Sequence, residues 1–129
     1  MSKEIVVYTE DYHLHEKSGT RPPWVLESYS VFRERILSLG NIEIVPRKLY
    51  IGFQRERPVV DVEVQQRGLK LTINMKKGTL KDPTNLTTDI SGRGHWGNGD
   101  YWVLVDKDTD FDDLMFLITQ SYKDKGSSK

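Results

Sequence analysis

The stretch VVDVEVQQRGLKLTINM, residues 59–75, constrains this chain more than any other. Val60, Val62 and Val64 alternate with Asp61, Glu63 and Gln65. After QRG the alternation resumes, with Leu69, Leu71, Ile73 and Met75 against Lys70, Thr72 and Asn74. Successive side chains of a strand leave on opposite faces, so a period of two marks a sheet that is apolar on one side and polar on the other. QRG, ending at Gly68, predicts a tight hairpin in which the glycine takes a positive φ. KLYIGFQR, 48–55, adds a third alternation: Leu49, Ile51 and Phe53 share one face, and Lys48, Tyr50 and Gln54 take the other. The expectation is an antiparallel meander with one wet face. Its apolar face needs a second layer.

Two amphipathic segments supply that layer. Val25, Tyr29, Phe32, Ile36 and Leu39 recur at spacings of four and three, which predicts a helix over 23–39. SGTRPP precedes it with prolines suited to a helix start, and Gly40 stops it. DTDFDDLMFLITQSYKD predicts the last helix, capped by Thr109 or Asp110. Phe111, Leu114, Ile118 and Tyr122 form its inward stripe, which Met115, Phe116 and Leu117 widen. Met115 and Phe116 either complete the core or meet a partner or a second copy. Ile42 and Ile44 before Pro46 predict a short edge strand, and DYWVLVD, 100–106, a further one. The fold class is therefore α+β: a two-layer sandwich in which an antiparallel sheet of about four or five strands carries two main helices on one face. The organisation expected is an N-terminal arm over 1–19, with a short strand at 5–8, one α+β domain over 20–124, and a disordered tail over 125–129. Between the strands, 76–98 shows no period beyond the turn KDPTN and a helical turn near Leu86. An irregular stretch of this length is usually functional.

Composition removes several functions. The 129 residues contain no Cys, which excludes disulfides, thiolate nucleophiles and Cys-based zinc sites. Acids and bases balance at 19 each, so no global field draws the chain to nucleic acid or an anionic membrane. No apolar run approaches the ~20 residues of a membrane span, and the N-terminus lacks signal-peptide regions. A cytoplasmic protein without membrane contact is expected.

The candidate site centres on GRGHWGNGDYWV, 92–103. As a ligand loop, its glycines let backbone N–H groups approach an anion or a base. Arg93, His95, Asn98 and Asp100 supply polar contacts, Trp96 or Trp102 stacks on a base or sugar, and the outward Tyr50 joins the candidate ligand residues from the basic set below. As a structural lock, Trp96 plugs the core edge, the glycines supply positive φ, and His95 or Asp100 hydrogen-bonds the loop shut. The preferred reading joins the two: Trp96 is buried as the lock, and His95 and Asn98 face the cavity it shapes. The glycines fit G-x-G-x-x-G, but they precede a strand instead of following one, so no nucleotide motif is matched.

Other clusters carry less. Asp61, Glu63 and Lys70 mimic the carboxylates and lysine of an Mg²⁺-dependent nuclease, yet Gln65 stands where such a strand carries lysine. Acids alternating with valine read instead as a solvated sheet face. HLH, 13–15, with His95 could offer zinc ligands, but there is no HExxH and the arm is irregular. Exposed or lightly packed histidines are expected, with no metal and no cofactor. Arg47, Lys48, Arg55, Arg57, Arg67, Lys70, Lys76, Lys77, Lys81 and Arg93 either track phosphates around the meander's turns or serve solubility.

RKLYIGFQRE, VVDVEVQQRGLKLTINMKKGTLKDP, GHWGNGDYWV, LITQSYKD and the leading YTEDYHLHEKS together resemble one family of uncharacterised prokaryotic domains. The likeness covers nearly the whole chain, and GHWGNGDY is its most specific part. Members carry the label "predicted transport protein", which no feature of this sequence supports. Such domains often follow a PD-(D/E)xK-type nuclease or a ParB-like restriction module. The resemblance thus implies a neighbourhood of nucleic-acid processing, with no catalytic residues to transfer, and fits either a stand-alone copy or a piece of a longer chain. The function expected is a non-catalytic accessory or recognition domain that binds nucleic acid, a nucleotide-like ligand, or a partner such as a nuclease or restriction-type domain. The alternative is a structural module that forms a homo-oligomer, and a metal-dependent nuclease comes third.

Overall fold

A computed structural model describes residues 7–90, 92 and 99–126. Among these, the helices are α1 (Pro23–Leu37) and α2 (Phe111–Gly126). The strands are β1 (Glu43–Pro46), β2 (Ile51–Arg55), β3 (Arg57–Gln65), β4 (Gly68–Ile73), β5 (Thr88–Asp89) and β6 (Tyr101–Val105). They form one six-stranded antiparallel sheet in the order β1-β2-β3-β4-β6-β5. The α+β sandwich expected from the alternations is present. The strand beyond the expected count is β5, two residues long inside the irregular 76–98 segment and too short to show a period.

The β3–β4 register pairs Val60 with Ile73, Val62 with Leu71 and Val64 with Leu69. All six face the helix layer and are buried. The turn residues are Gln66 and Arg67, because Gln65 pairs with Gly68. Gly68 has φ +139°, and a Cβ there would stand 2.0 Å from the Val105 carbonyl oxygen of β6. The glycine thus serves a close backbone approach as well as the turn. Between β2 and β3 the register slips at Phe53/Gln54, and Val59 is the extra residue of a bulge. Val59 and Val60 both enter the core.

Under α1, Phe32 meets Phe53 edge-on at 5.2 Å between ring centroids, a favourable quadrupole arrangement. α2 starts where Asp110 Oδ1 accepts the backbone N–H groups of Asp112 and Asp113, so Asp110 is its cap. At the other end Arg55 donates to the Tyr122 carbonyl, and Arg57 donates to that of Asp124, one of the carbonyls the helix leaves open. The helix continues through Gly126, past the sequence's last apolar repeat. Met115 and Leu117 are buried, whereas Phe116 is 50 % exposed, so the widened stripe is core on all but one position.

Some local expectations are corrected. Leu49 precedes β2 and is exposed instead of sharing the apolar face with Ile51 and Phe53. Val7 and Tyr8 form no strand. Near Leu86 there is no helical turn. Asp82 instead accepts the N–H groups of Leu86 and Thr87 and the Thr87 hydroxyl. The arm is more than a polar lead-in. Its residues Tyr12–Glu16 form a π-helical turn that buries His13, whose Nε2 lies 2.6 Å from the Arg47 carbonyl oxygen. Burial, helped by the charges of Lys17 and Arg21, holds this imidazole below its ordinary pKa. Glu10 accepts from the Tyr29 hydroxyl and from Arg33, tying the arm to α1. Arg21 is buried and donates to the Val64 carbonyl, where β3 runs past the start of β2.

Candidate functional site

Because one sheet face is covered by helices, polar alternates fall on the other. The ladder sets one row across all six strands: Val45, Gly52, Asp61, Thr72, Trp102 and Thr88. The next row holds Glu63, Lys70 and Leu104. The sequence predicts this face to be wet. It is not so at its centre: Asp61 is 5 % exposed and Asn74 4 %, and Thr72 is buried with them. The solvated-face reading therefore fails for Asp61.

The centre of the row is a polar floor. Asn74 follows β4 and its Nδ2 donates to Asp61 Oδ2 over a long 3.4 Å. Among the described residues, Asn74 Oδ1 is the buried side-chain oxygen with no hydrogen-bond partner. Burial pushes the Asp61 carboxyl up to about 6, and the Asn74 hydrogen bond and the Arg47 charge reverse only part of that effect. Buried polar groups are normally satisfied, and buried charges paired. A carboxyl held this poorly, outside the hydrophobic cluster, is a candidate site group.

Aromatic groups stand at both ends of this floor. Tyr50 lies beside Gly52, where an added Cβ would be 3.5 Å from Asp61 Oδ1 and 3.7 Å from Tyr50 Cε2. The strand glycine is what gives both groups room. Burial and the neighbouring Asp61 charge raise the Tyr50 pKa. Trp102 lies three strand spacings away, ~14 Å across the sheet. Lys70 Nζ sits 3.5 Å above its ring and 4.0 Å from Glu63 Oε2. This is a cation–π contact beside an ion pair.

Of the ligand residues expected from sequence, Tyr50 and Trp102 share this face. Asp100 precedes Trp102 on β6 and has a structural task. Its Oδ2 accepts the Lys77 N–H at 2.8 Å, and its backbone bonds to Met75 and Ile90, which joins 75–78 and β5 to β6. Arg93, His95, Asn98 and the lock residue Trp96 lie outside the described residues. Gly99 serves a close backbone approach of another kind than those expected: a Cβ there would be 2.1 Å from the Ile73 carbonyl oxygen. Asn74 and Thr72 are not singled out in the sequence, and Asp61 reads there only as a nuclease carboxylate or a solvated acid. The available signal was Gly52, a glycine inside a strand that marks close approach from a neighbour.

The remaining candidates disperse. Among the described residues no group of three or more His, Cys, Asp or Glu is placed to hold a metal ion. Glu63 faces Lys70 while Asp61 faces Asn74. Of the basic set, Arg55 and Arg57 are occupied at the end of α2, and Lys77 Nζ lies 3.9 Å from Asp89. Lys70 stands over Trp102, and the Arg47 charge acts on Asp61, so these two members of the set are near the site. No helix among the described residues is long and apolar enough to cross a membrane.

Fold and site together define a small α+β domain with a polar, aromatic-flanked centre on its second sheet face. The chain belongs to the family described as a domain of unknown function (DUF5655), matched over residues 17–125. It is 43 % identical over 123 residues to an uncharacterized protein of Haemophilus influenzae, an alignment covering 95 % of this chain and 39 % of that protein. The chain thus spans well under half the length of that relative. No solved structure matches it.

Proposed function

We propose that this domain is a recognition module that holds a nucleotide-like ligand, free or within a nucleic acid, on the second face of its sheet. One observation carries the reading: the Asp61–Asn74 pair, with its unsatisfied oxygen, lies on the same face as Tyr50 and Trp102. Aromatic faces stack on any base, and acceptors on the floor engage a base edge. Lys70 is the cation at the site suited to a phosphate. The family resemblance to domains that follow nuclease or restriction-type modules agrees with an accessory role beside such a partner.

The test is calorimetric titration with mononucleotides and short oligonucleotides at two salt concentrations. Saturable binding that weakens with salt and is reduced by Lys70→Ala and Trp102→Ala supports the reading. Absence of binding by every nucleotide and oligonucleotide at millimolar concentration overturns it. Self-association is the second reading, favoured by the half-exposed Phe116, which lines a shallow groove with Met115, Thr119 and Gln120. It predicts a molecular mass that rises with concentration and returns to that of a monomer in Phe116→Ser.

A further inference from the structure

We propose that the Asp61–Asn74 pair reads the N–H donor edge of a guanine, an inference that rests on the nucleotide reading above. What the floor offers is acceptors. Asp61 brings a carboxylate from β3, and Asn74 brings an amide oxygen with no hydrogen-bond partner among the described residues. Guanine presents two adjacent donors, N1–H and the 2-amino group, and so matches two acceptors. Adenine places a ring acceptor beside its amino group, and that lone pair would face the carboxylate. Uracil flanks a single N–H with two carbonyl oxygens, which the carboxylate also repels. Asp61 and Asn74 are 5 % and 4 % exposed, so an incoming edge must displace the groups that cover them. That exchange favours the ligand that satisfies both acceptors, because a buried acceptor left unpaired keeps its full desolvation cost.

A guanidinium is also planar and rich in donors, but the surroundings disfavour a cation. The Arg47 charge already acts on Asp61, and Lys70 already stands over Trp102. A neutral ring meets no such repulsion, and a phosphate on the same ligand is attracted by both cations. Lys70 then yields the Trp102 face to the base.

The experiment is calorimetric titration of the full chain with guanosine, inosine and adenosine 5′-monophosphates, for the wild type and Asp61→Asn. Inosine lacks the 2-amino group, so it removes one donor without altering the protein. Guanosine monophosphate is expected to bind at least about tenfold more tightly than adenosine monophosphate, the discrimination of a bidentate contact, with inosine monophosphate between them. Asp61→Asn should bring the three close to parity. G-rich and A-rich trinucleotides decide whether the base is read free or within a strand. Equal binding of the three nucleotides, or a guanine preference that survives in Asp61→Asn, overturns the edge inference and leaves the nucleotide reading standing. Binding of arginine amide in place of any nucleotide overturns both, as does the absence of binding altogether.

Discussion

Asp61→Asn should make this protein more stable while removing a binding group. Burial pushes the Asp61 carboxyl up to about 6 from an ordinary 3.8. At ~1.4 kcal/mol for each tenfold change in proton affinity, an ionised Asp61 costs the folded state ~3 kcal/mol at neutral pH. The sign follows from which state ionises first. Below an ordinary aspartate pKa the carboxyl is protonated in both states and costs nothing. As pH rises toward 6 the unfolded chain ionises first, so stability falls. Above about 6 the cost is constant. An asparagine has the same shape, cannot ionise, and has an N–H able to meet the unpartnered Asn74 oxygen. For a domain of this size the gain corresponds to a rise in Tm on the order of 10 °C at pH 7. The assay is thermal melting of variant and wild type from pH 4 to pH 8, taken as a difference. The difference is needed because Glu10 contributes the opposite slope. Burial raises its carboxyl, but hydrogen bonds from Arg33 and Tyr29 and the Arg33 charge outweigh that and hold it below its ordinary value. A variant that melts no higher than wild type at pH 7, or a difference that does not grow between pH 4 and pH 6, refutes the reasoning.

Gly68→Ala, Gly68→Asn and Gly68→Val should each destabilise by more than ~2 kcal/mol, with Asn giving little relief. A residue that tolerates positive φ still puts a Cβ against the Val105 carbonyl oxygen; denaturant melts of the three check this, and a wild-type-like Asn variant contradicts it. Glu10→Gln should cost about 1–2 kcal/mol at pH 7, since it weakens charge-assisted bonds to Arg33 and Tyr29. The wild-type contribution of Glu10 is lost as pH falls through its depressed pKa, so the two proteins should converge in acid melts. Phe116→Ser should shift stability by less than ~1 kcal/mol, because half of that ring already faces solvent; a larger loss by denaturant titration would place Phe116 in the core.

The architecture was legible because burial on one face writes a period into the sequence. Val60, Val62 and Val64 against Leu69, Leu71 and Ile73 define a register, and that register carries Glu63 to Lys70 and Asp61 to Thr72. β5 was illegible, since Thr88 and Asp89 are too few to alternate. The second face misled for a different reason. Alternation tells which side a residue takes but not what covers that side, so Asp61, Thr72 and Asn74 read as solvated although they are buried. His13 and Arg21 were opaque in the same way. His13 meets the carbonyl of Arg47, and Arg21 meets those of Val64, Lys17 and Gly19; a backbone acceptor, near or far, leaves no mark in composition. The place of Tyr50 and Trp102 on the second face was legible because an aromatic ring on the polar side of a strand is conspicuous. Asp100 reads in the sequence either as a ligand contact or as a loop lock, because a carboxylate that caps a loop looks the same there as one that meets a ligand; in the structure it accepts the Lys77 N–H.

The central claim is that the second face of the sheet is the ligand face. Two-dimensional amide NMR of the full chain during titration with guanosine 5′-monophosphate tests it most directly. The indole N–H of Trp102, the side-chain amide of Asn74 and the backbone amides of Gly52 and Lys70 are the reporters. The account predicts that these signals move together and saturate with one affinity while the amides around Phe116 on α2 stay still. Shifts confined to the outer face of α2, or no shift at Asn74 and Trp102 at saturating ligand, contradict it.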